Sequence, residues 1–277
     1  MAASHTKRLA QLKEEEFMMD SLTEKYTARE MLNKVPEVTL LFWLTKVLTT
    51  GMGEVFSDFL FFTTGLPHVT VLCMGLTGLG VTLALQFTAR RYKPVFYWLA
   101  VVAVSIFGTM FADVIHGALG LSFTSSTLLF VAFQAIVFIC WYASEKTLSV
   151  HSIYTRRREA FYWTTVLGTF ALGTAAGDFT AFGLHLGTFA SGLLFAALIA
   201  IPAVGYKFWG WNEIFSFWFA YVMTRPLGAS FSDWMAQDLG WGTGKVSFAL
   251  SVVIVLLVWR LASADRKATL CAANACR

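Results

Sequence analysis

Apolar blocks of roughly 20 residues fill most of this chain, and they constrain its fold more than any other feature. A helix of that length matches the hydrocarbon thickness of a bilayer. Only 14% of the 277 residues are charged, and 13 of the 38 charged residues precede Val38. Soluble domains carry about 25% charged residues. The sequence therefore predicts a helical membrane protein, and it excludes a soluble Rossmann or TIM-barrel enzyme, a disulfide scaffold and a nucleic-acid-binding domain.

The apolar blocks predict an all-α, polytopic bundle of eight transmembrane helices. We expect residues 1–37 to form a polar cytoplasmic tail before a membrane domain at 38–263, and residues 264–277 to form a second cytoplasmic tail. The predicted spans are 38–62, 69–89, 95–117, 122–143, 160–181, 185–205, 212–236 and 246–263.

The charges of the loops predict the orientation of the bundle. Lys and Arg residues follow the second, fourth, sixth and eighth spans. The loops after the first, third and fifth spans contain none, and the loop after the seventh contains only Lys245. Because loops rich in Lys and Arg stay in the cytoplasm, both termini are predicted to be cytoplasmic.

Four tandem units repeat along the chain. A tryptophan stands 15 positions before an aspartate in each unit, and an aromatic residue precedes that tryptophan. A glycine stands five positions before the aspartate, where it suits close contact with a neighbouring helix. We infer four helical hairpins, at about 38–89, 95–143, 160–205 and 212–263. In each, a motif helix bearing the tryptophan and the aspartate precedes a plainer helix. All four units then point the same way, around an axis along the membrane normal. The tryptophan–aspartate pairs are Trp43 and Asp58, Trp98 and Asp113, Trp163 and Asp178, and Trp218 and Asp233.

These motifs resemble a known family. Over about residues 36–263, the chain is similar to bacterial integral membrane proteins defined by four tandem copies of a two-span repeat with a characteristic tryptophan. The four tryptophans named above, each with its aspartate, carry the resemblance. The family is described as a repeat of unknown function. The resemblance therefore implies eight spans and a bacterial cytoplasmic membrane, but it supplies no activity and no functional residues.

Apart from Arg260 near the end of the last span, the Asp, Glu, Lys and Arg side chains inside the predicted spans lie in the motif helices. Such residues are costly in lipid, so they mark functional sites by default. Residues four and eight positions before an aspartate share its helix face, which adds hydroxyl groups to that face. We expect this polar face to point into the bundle interior or a wet cavity. The acids are Glu54, Asp58, Asp113, Asp178 and Asp233, the bases are Lys46 and Arg225, and the hydroxyls are Thr50, Ser105, Thr109 and Thr174.

Two interpretations of the four aspartates stay open. All four are predicted to lie at one depth, about 30 Å along the helices from the cytoplasmic edge. In the first interpretation they form an acidic ring that attracts cations at the outer mouth, with Glu54 one turn deeper. In the second, each carboxylate meets lipid headgroups or caps the turn into the next helix.

The remaining polar and aromatic groups have favoured roles. We interpret Lys46 and Arg225 as internal counter-ions to Glu54 and Asp233, in preference to substrate anchors. His116 is a weak metal-ligand candidate, and a structural or interfacial role is favoured for it. The tryptophans lie just inside the cytoplasmic edge, where an aromatic belt or packing is favoured over ligand stacking.

The acidic face favours a transporter or channel-like carrier of a cation. Carboxylate and hydroxyl oxygens are hard ligands, so Mg²⁺, Mn²⁺, Ca²⁺ or Na⁺ suits them better than Cu⁺. The predicted metal ligands are Glu54 and the four aspartates. Two alternatives are a transporter of an organic cation or small metabolite, and a non-transporting lipid-binding scaffold or intramembrane enzyme.

The predicted partners are the lipid bilayer and the transported cation or small molecule. No cofactor is required beyond such a cation, and a homo-oligomer is left open. The sequence contains no phosphate-binding loop, HExxH, GxSxG or CxxC motif, so we expect no enzyme and no nucleic-acid partner.

Overall fold

The computed structural model describes residues 33–275, with side chains described up to residue 267. Most of the predicted N-terminal tail, at 1–37, lies outside these residues. Eight long helices follow one another, and each coincides with one predicted span. Their bounds are α1 Leu40–Asp58, α2 His68–Thr88, α3 Pro94–Leu119, α4 Phe123–Glu145, α5 Arg156–Asp178, α6 Thr188–Trp209, α7 Glu213–Asp233 and α8 Thr243–Ala275. Within residues 33–275 there is no strand, so the all-α prediction is confirmed.

Polar caps at the first turns explain where several helices begin. The side chains of Thr39, Ser122, Thr155 and Asn212 each accept a hydrogen bond from a backbone N–H of the first turn that follows. These bonds satisfy backbone donors that have no partner inside the helix. The last helix, α8, continues to Ala275. The predicted C-terminal tail is therefore helical as far as the structure describes it.

The four motif helices α1, α3, α5 and α7 form a closed ring, in which each packs against the next and α7 packs against α1. The plainer helices lie outside this ring. Each packs mainly against the motif helix of the following repeat: α2 on α3, α4 on α5, and α6 on α7. The last helix, α8, packs on α1 and thereby joins the end of the chain to its beginning.

The inner and outer helices differ in polarity. Five helices of the described chain are long and apolar enough to cross a membrane: the four outer helices and α3. The other three motif helices, α1, α5 and α7, are not apolar enough to meet this criterion, and each packs between two neighbouring motif helices. The outer helices expose large apolar side chains such as Leu128, Ile139 and Val255. This surface is compatible with a membrane protein, because lipid solvates apolar side chains.

One end of the ring, which we call the Trp end, contains a closed circle of aromatic contacts. The aromatic residue before each tryptophan packs against the tryptophan of the next repeat, with ring centroids 5.6 to 6.1 Å apart. Trp98, Trp163 and Trp218 are buried there, which agrees with the predicted packing role. The four pairs are Phe42 with Trp98, Tyr97 with Trp163, Tyr162 with Trp218, and Phe217 with Trp43.

Candidate functional site

The repeated glycines bring the motif helices close together. A Cβ atom added to Gly53 would lie 1.9 Å from Ser105 Oγ, and one added to Gly228 would lie 2.0 Å from Thr50 Oγ1. Gly108 and Gly173 approach Phe170 and the Arg225 stem in the same way. Each contact therefore joins a glycine to the residue eight positions before the aspartate of the next repeat. This geometry confirms the predicted close helix contacts of the small-residue kind.

Hydroxyl groups strengthen two of these four junctions. Ser105 Oγ donates to the Thr49 carbonyl oxygen at 2.9 Å, and Thr50 Oγ1 can donate to the Thr224 carbonyl oxygen at 3.1 Å. The other two junctions hold Phe170 and Arg225 in place of a hydroxyl residue. The ring is thus closed by equivalent positions, but the side chains on its axis differ between repeats.

Arg225 lies at the centre of the ring and is fully buried. Its guanidinium donates to the Glu54 carboxylate and to the Thr109 hydroxyl, and also to Thr174 Oγ1 at 2.8 Å. A further bond reaches the Thr50 carbonyl oxygen at 3.3 Å. One side chain of the fourth repeat therefore joins the other three repeats across the axis.

Arg225 is the counter-ion of Glu54, one of the two acids predicted to pair with the buried bases. Arg225 forms an ion pair with Glu54 of the first repeat, not with Asp233 of its own repeat. The physical reason is depth: the glutamate stands one turn from the level of Arg225, whereas the aspartate stands two turns away, and each turn is about 5.4 Å. Arg225 does compensate a buried negative charge, as expected, but it does so across the ring.

Lys46 has a different environment from the one predicted. Its Nζ is buried and has no hydrogen-bond partner among the described residues. The Nζ atom instead lies over the rings of Phe170 and Tyr221, 4.1 and 4.3 Å from their centroids. Two aromatic faces, and not a carboxylate, are therefore the nearest neighbours of this nitrogen, and such faces can attract a cation through their quadrupole.

The four aspartates lie at the other end of the axis, which we call the Asp end. The charge of Asp113 interacts with those of Glu54, Asp58 and Asp178, and Asp233 interacts with the same three groups. All four also interact with the charge of Arg225. The four aspartate side chains therefore lie within electrostatic range of Glu54 and Arg225.

Three aspartates stand where an α-helix changes into a π-helical turn. The turns Phe59–Thr63, Phe179–Gly183 and Trp234–Asp238 directly follow Asp58, Asp178 and Asp233. None of these three side chains caps the turn that it precedes. In the second repeat α3 instead continues past Asp113 to Leu119. Because π-helical turns are frequent at functional sites, this junction is a second feature that singles out the aspartates.

Metal coordination is not assembled in the described part of the chain, where no three His, Cys, Asp or Glu side chains gather closely enough to hold an ion. The roles of Glu54 and the four aspartates as metal ligands stay predictions. His116 lies apart from the axis: its ring stacks on Phe123 with centroids 4.8 Å apart, and Nδ1 lies 3.4 Å from Ser126 Oγ.

Sequence reasoning missed a group of tyrosines on the axis near the Trp end. Tyr97 and Tyr162 share a hydrogen bond of 2.5 Å between their hydroxyls, and the buried Tyr221 lies beside both. Spacing along one helix could not find Tyr97 and Tyr162, because at 3.6 residues per turn a residue 16 positions before an aspartate lies nearly opposite it on a straight helix.

A separate cavity of about 680 Å³ opens at the Trp end, outside the ring axis. It is mainly apolar and lies among the starts of α1 and α7, the end of α6 and the loop at residues 148–151. His151 Nε2 and Glu213 Oε1, 3.2 Å apart, are polar groups in its wall. None of the predicted site residues lines it.

The fold and the axis define a helical bundle of membrane type, built from four tandem repeats around a buried polar core. The chain belongs to the family described as Repeat of Unknown Function (DUF347), whose model matches residues 41–92, 96–147, 161–209 and 216–267. This match confirms the resemblance inferred from the tryptophans and aspartates. Neither the curated proteins nor the solved structures contain a match to the chain.

Proposed function

We propose that this protein is a cation carrier of the bacterial cytoplasmic membrane, and that the cation moves along the axis of the motif-helix ring. The observation that carries the proposal is the convergence of four aspartates and Glu54 on one interior. Five acids face two bases there, Lys46 and Arg225. A buried excess of acid attracts cations, because unpaired negative charge is costly in a low-dielectric interior.

The proposal includes eight spans with both termini in the cytoplasm. The three helices that are less apolar, α1, α5 and α7, lie within the ring, where neighbouring helices shield their charged groups from lipid. The Trp end would then face the cytoplasm. Cysteines introduced at Leu66, Leu121 and Gly240 should react with an impermeant label applied outside intact cells. Labelling of a cysteine introduced at Ser144 would contradict this orientation.

The arrangement favours a carrier over an open pore. Arg225 crosses the axis and Lys46 lies between two aromatic rings, so large side chains fill the centre of the ring. A cation must therefore displace a bound base before it can pass. This requirement couples cation entry to a movement of charge within the protein.

Hard metal ions remain the predicted substrates, and the axis adds support for a second candidate, an organic cation. The faces of Phe170 and Tyr221 already pack against the side-chain nitrogen of Lys46. Such aromatic boxes recognise alkylated or planar organic cations. A scaffold role, by contrast, has less support, because the aspartates interact with one another and with Arg225.

The test is cation uptake into proteoliposomes. Mg²⁺, Mn²⁺, Ca²⁺ and Na⁺ should be compared for the wild type and for the Asp58→Asn and Glu54→Gln variants. We expect both substitutions to lower uptake at least about tenfold, because each removes a charge from the axis. Glu54→Gln keeps an oxygen that can accept from Arg225.

The matched control is Asp238→Asn. Asp238 is exposed at the Asp end and outside the axis, where it accepts a 2.5 Å hydrogen bond from Thr188 Oγ1. This variant should retain wild-type uptake. Unchanged uptake in both axis variants, with wild-type uptake present, would refute the cation path.

A further inference from the structure

The groups that hold the Arg225 side chain come from equivalent positions of three repeats. Glu54, Thr109 and Thr174 each stand four positions before the aspartate of their own repeat. The fourth repeat has Ala229 at that position and contributes the guanidinium instead. Three repeats therefore form a binding site across the axis, and the fourth repeat fills it.

The chemistry of this site matches a planar cation with N–H donors. It offers one carboxylate, two hydroxyl oxygens and the Thr50 carbonyl oxygen, which are all acceptors. The central carbon of the guanidinium lies over the face of the Phe170 ring, 5.6 Å from the ring centroid. Guanidinium groups combine directional N–H donation with stacking on aromatic faces, and an ammonium lacks the planar part of this match.

A carrier with this site must keep the buried Glu54 neutralised at every stage. An uncompensated buried carboxylate costs several kcal/mol, so a departing Arg225 has to be replaced by another cation. The four aspartates stand one helical turn beyond the Glu54, Thr109 and Thr174 level, toward the Asp end, so they are the acceptors in reach of the displaced guanidinium. One cation entering and one side chain moving toward the Asp end leave the charge at Glu54 balanced.

From this geometry we infer that the site formed by Glu54, Thr109 and Thr174 binds small organic cations of the guanidinium class, and that Arg225 is a tethered occupant which the substrate displaces. The inference rests on the proposed cation transport and names its substrate class. It also gives Phe170 a role. This residue stands eight positions before its aspartate, where the first two repeats have a hydroxyl residue, and it supplies the aromatic face of the site.

The first experiment is chemical rescue of Arg225→Ala. Removal of the side chain leaves a cavity lined by the acceptors, so low millimolar guanidinium chloride should raise the melting temperature of the variant in detergent by about 3 °C relative to NaCl. Tetramethylammonium chloride, which has the same charge but no N–H donor, should give no such shift.

Arg158→Ala is the matched control variant. Arg158 lies at the Trp end of the bundle, where its Nε donates to Glu145 Oε2 at 2.8 Å, so this variant also loses an arginine–carboxylate pair. It lacks the closed axis site, and we expect no specific rescue by guanidinium. Equal shifts in the two variants would indicate nonspecific binding and would overturn the inference.

The second experiment uses the wild type and so does not depend on the folding of a variant. Radiolabelled guanidinium should accumulate in proteoliposomes, and Glu54→Gln should lower its uptake at least about tenfold. Uptake of a metal ion without uptake of guanidinium would overturn the inference and leave the proposed cation transport standing. Absence of uptake for every cation tested would remove the proposed function itself.

Discussion

The Trp end and the centre of the ring are built from the same four repeats, yet they differ in symmetry. At the Trp end each repeat supplies an aromatic residue and a tryptophan, and every junction contains the same kind of contact. At the centre, the equivalent positions hold Thr50, Ser105, Phe170 and Arg225. The comparison indicates that repeated residues assemble the ring and supply the four aspartates, whereas residues that depart from the repeat form the central ion pair.

Loss of one partner of the central ion pair should have the largest effect on stability. Glu54→Leu leaves the guanidinium of Arg225 buried without its carboxylate, which is expected to lower the free energy of unfolding by about 3 to 5 kcal/mol. The double variant Glu54→Leu with Arg225→Met removes both charges and should recover most of this loss, because apolar replacements of a buried pair are often tolerated.

Thermal unfolding in detergent of both single variants and the double variant measures this coupling. A double variant as unstable as the sum of the two single variants would mean that the two charges act independently. In either case the double variant should lose cation uptake, which separates the chemistry of the centre from its contribution to stability.

A smaller effect is expected at the helix junctions that the repeated glycines form. Gly53→Val places side-chain atoms where Ser105 already lies, and overpacking of this kind costs about 1 to 3 kcal/mol. Gly80→Ala is the control, since a Cβ atom at Gly80 in the outer helix α2 would meet nothing within 4 Å. Melting temperatures of the two variants test the difference, and equal values would contradict a tight junction at Gly53.

The smallest effect is expected at the Trp end. Tyr97→Phe removes one side of the hydroxyl pair with Tyr162 but keeps the aromatic ring, so it should lower stability by about 1 kcal/mol. Cation uptake per folded protein should change much less than in Glu54→Gln. A loss of uptake as large as that of the glutamate variant would assign transport chemistry to the Trp end and would weaken the contrast between the two regions.

Much of the fold could be predicted from sequence. The length and apolarity of the blocks located all eight helices, because a helix in lipid must satisfy its own backbone hydrogen bonds. The 15-residue spacing from tryptophan to aspartate identified the repeats. The spacing of four residues identified the polar face, and the glycines predicted the helix contacts, since both features are local properties of one helix.

The tertiary structure alone decided which groups meet across the axis. Helical periodicity places Arg225 and Asp233 on one face, but it gives no information about a side chain of another repeat at the same depth. Arg225 therefore pairs with Glu54, and Lys46 lies against Phe170 and Tyr221. Likewise, each outer helix packs on the motif helix of the following repeat, and the last outer helix, α8, packs on α1 of the first repeat. Such contacts depend on how separate helices are arranged in space, and no spacing along a single helix encodes that arrangement.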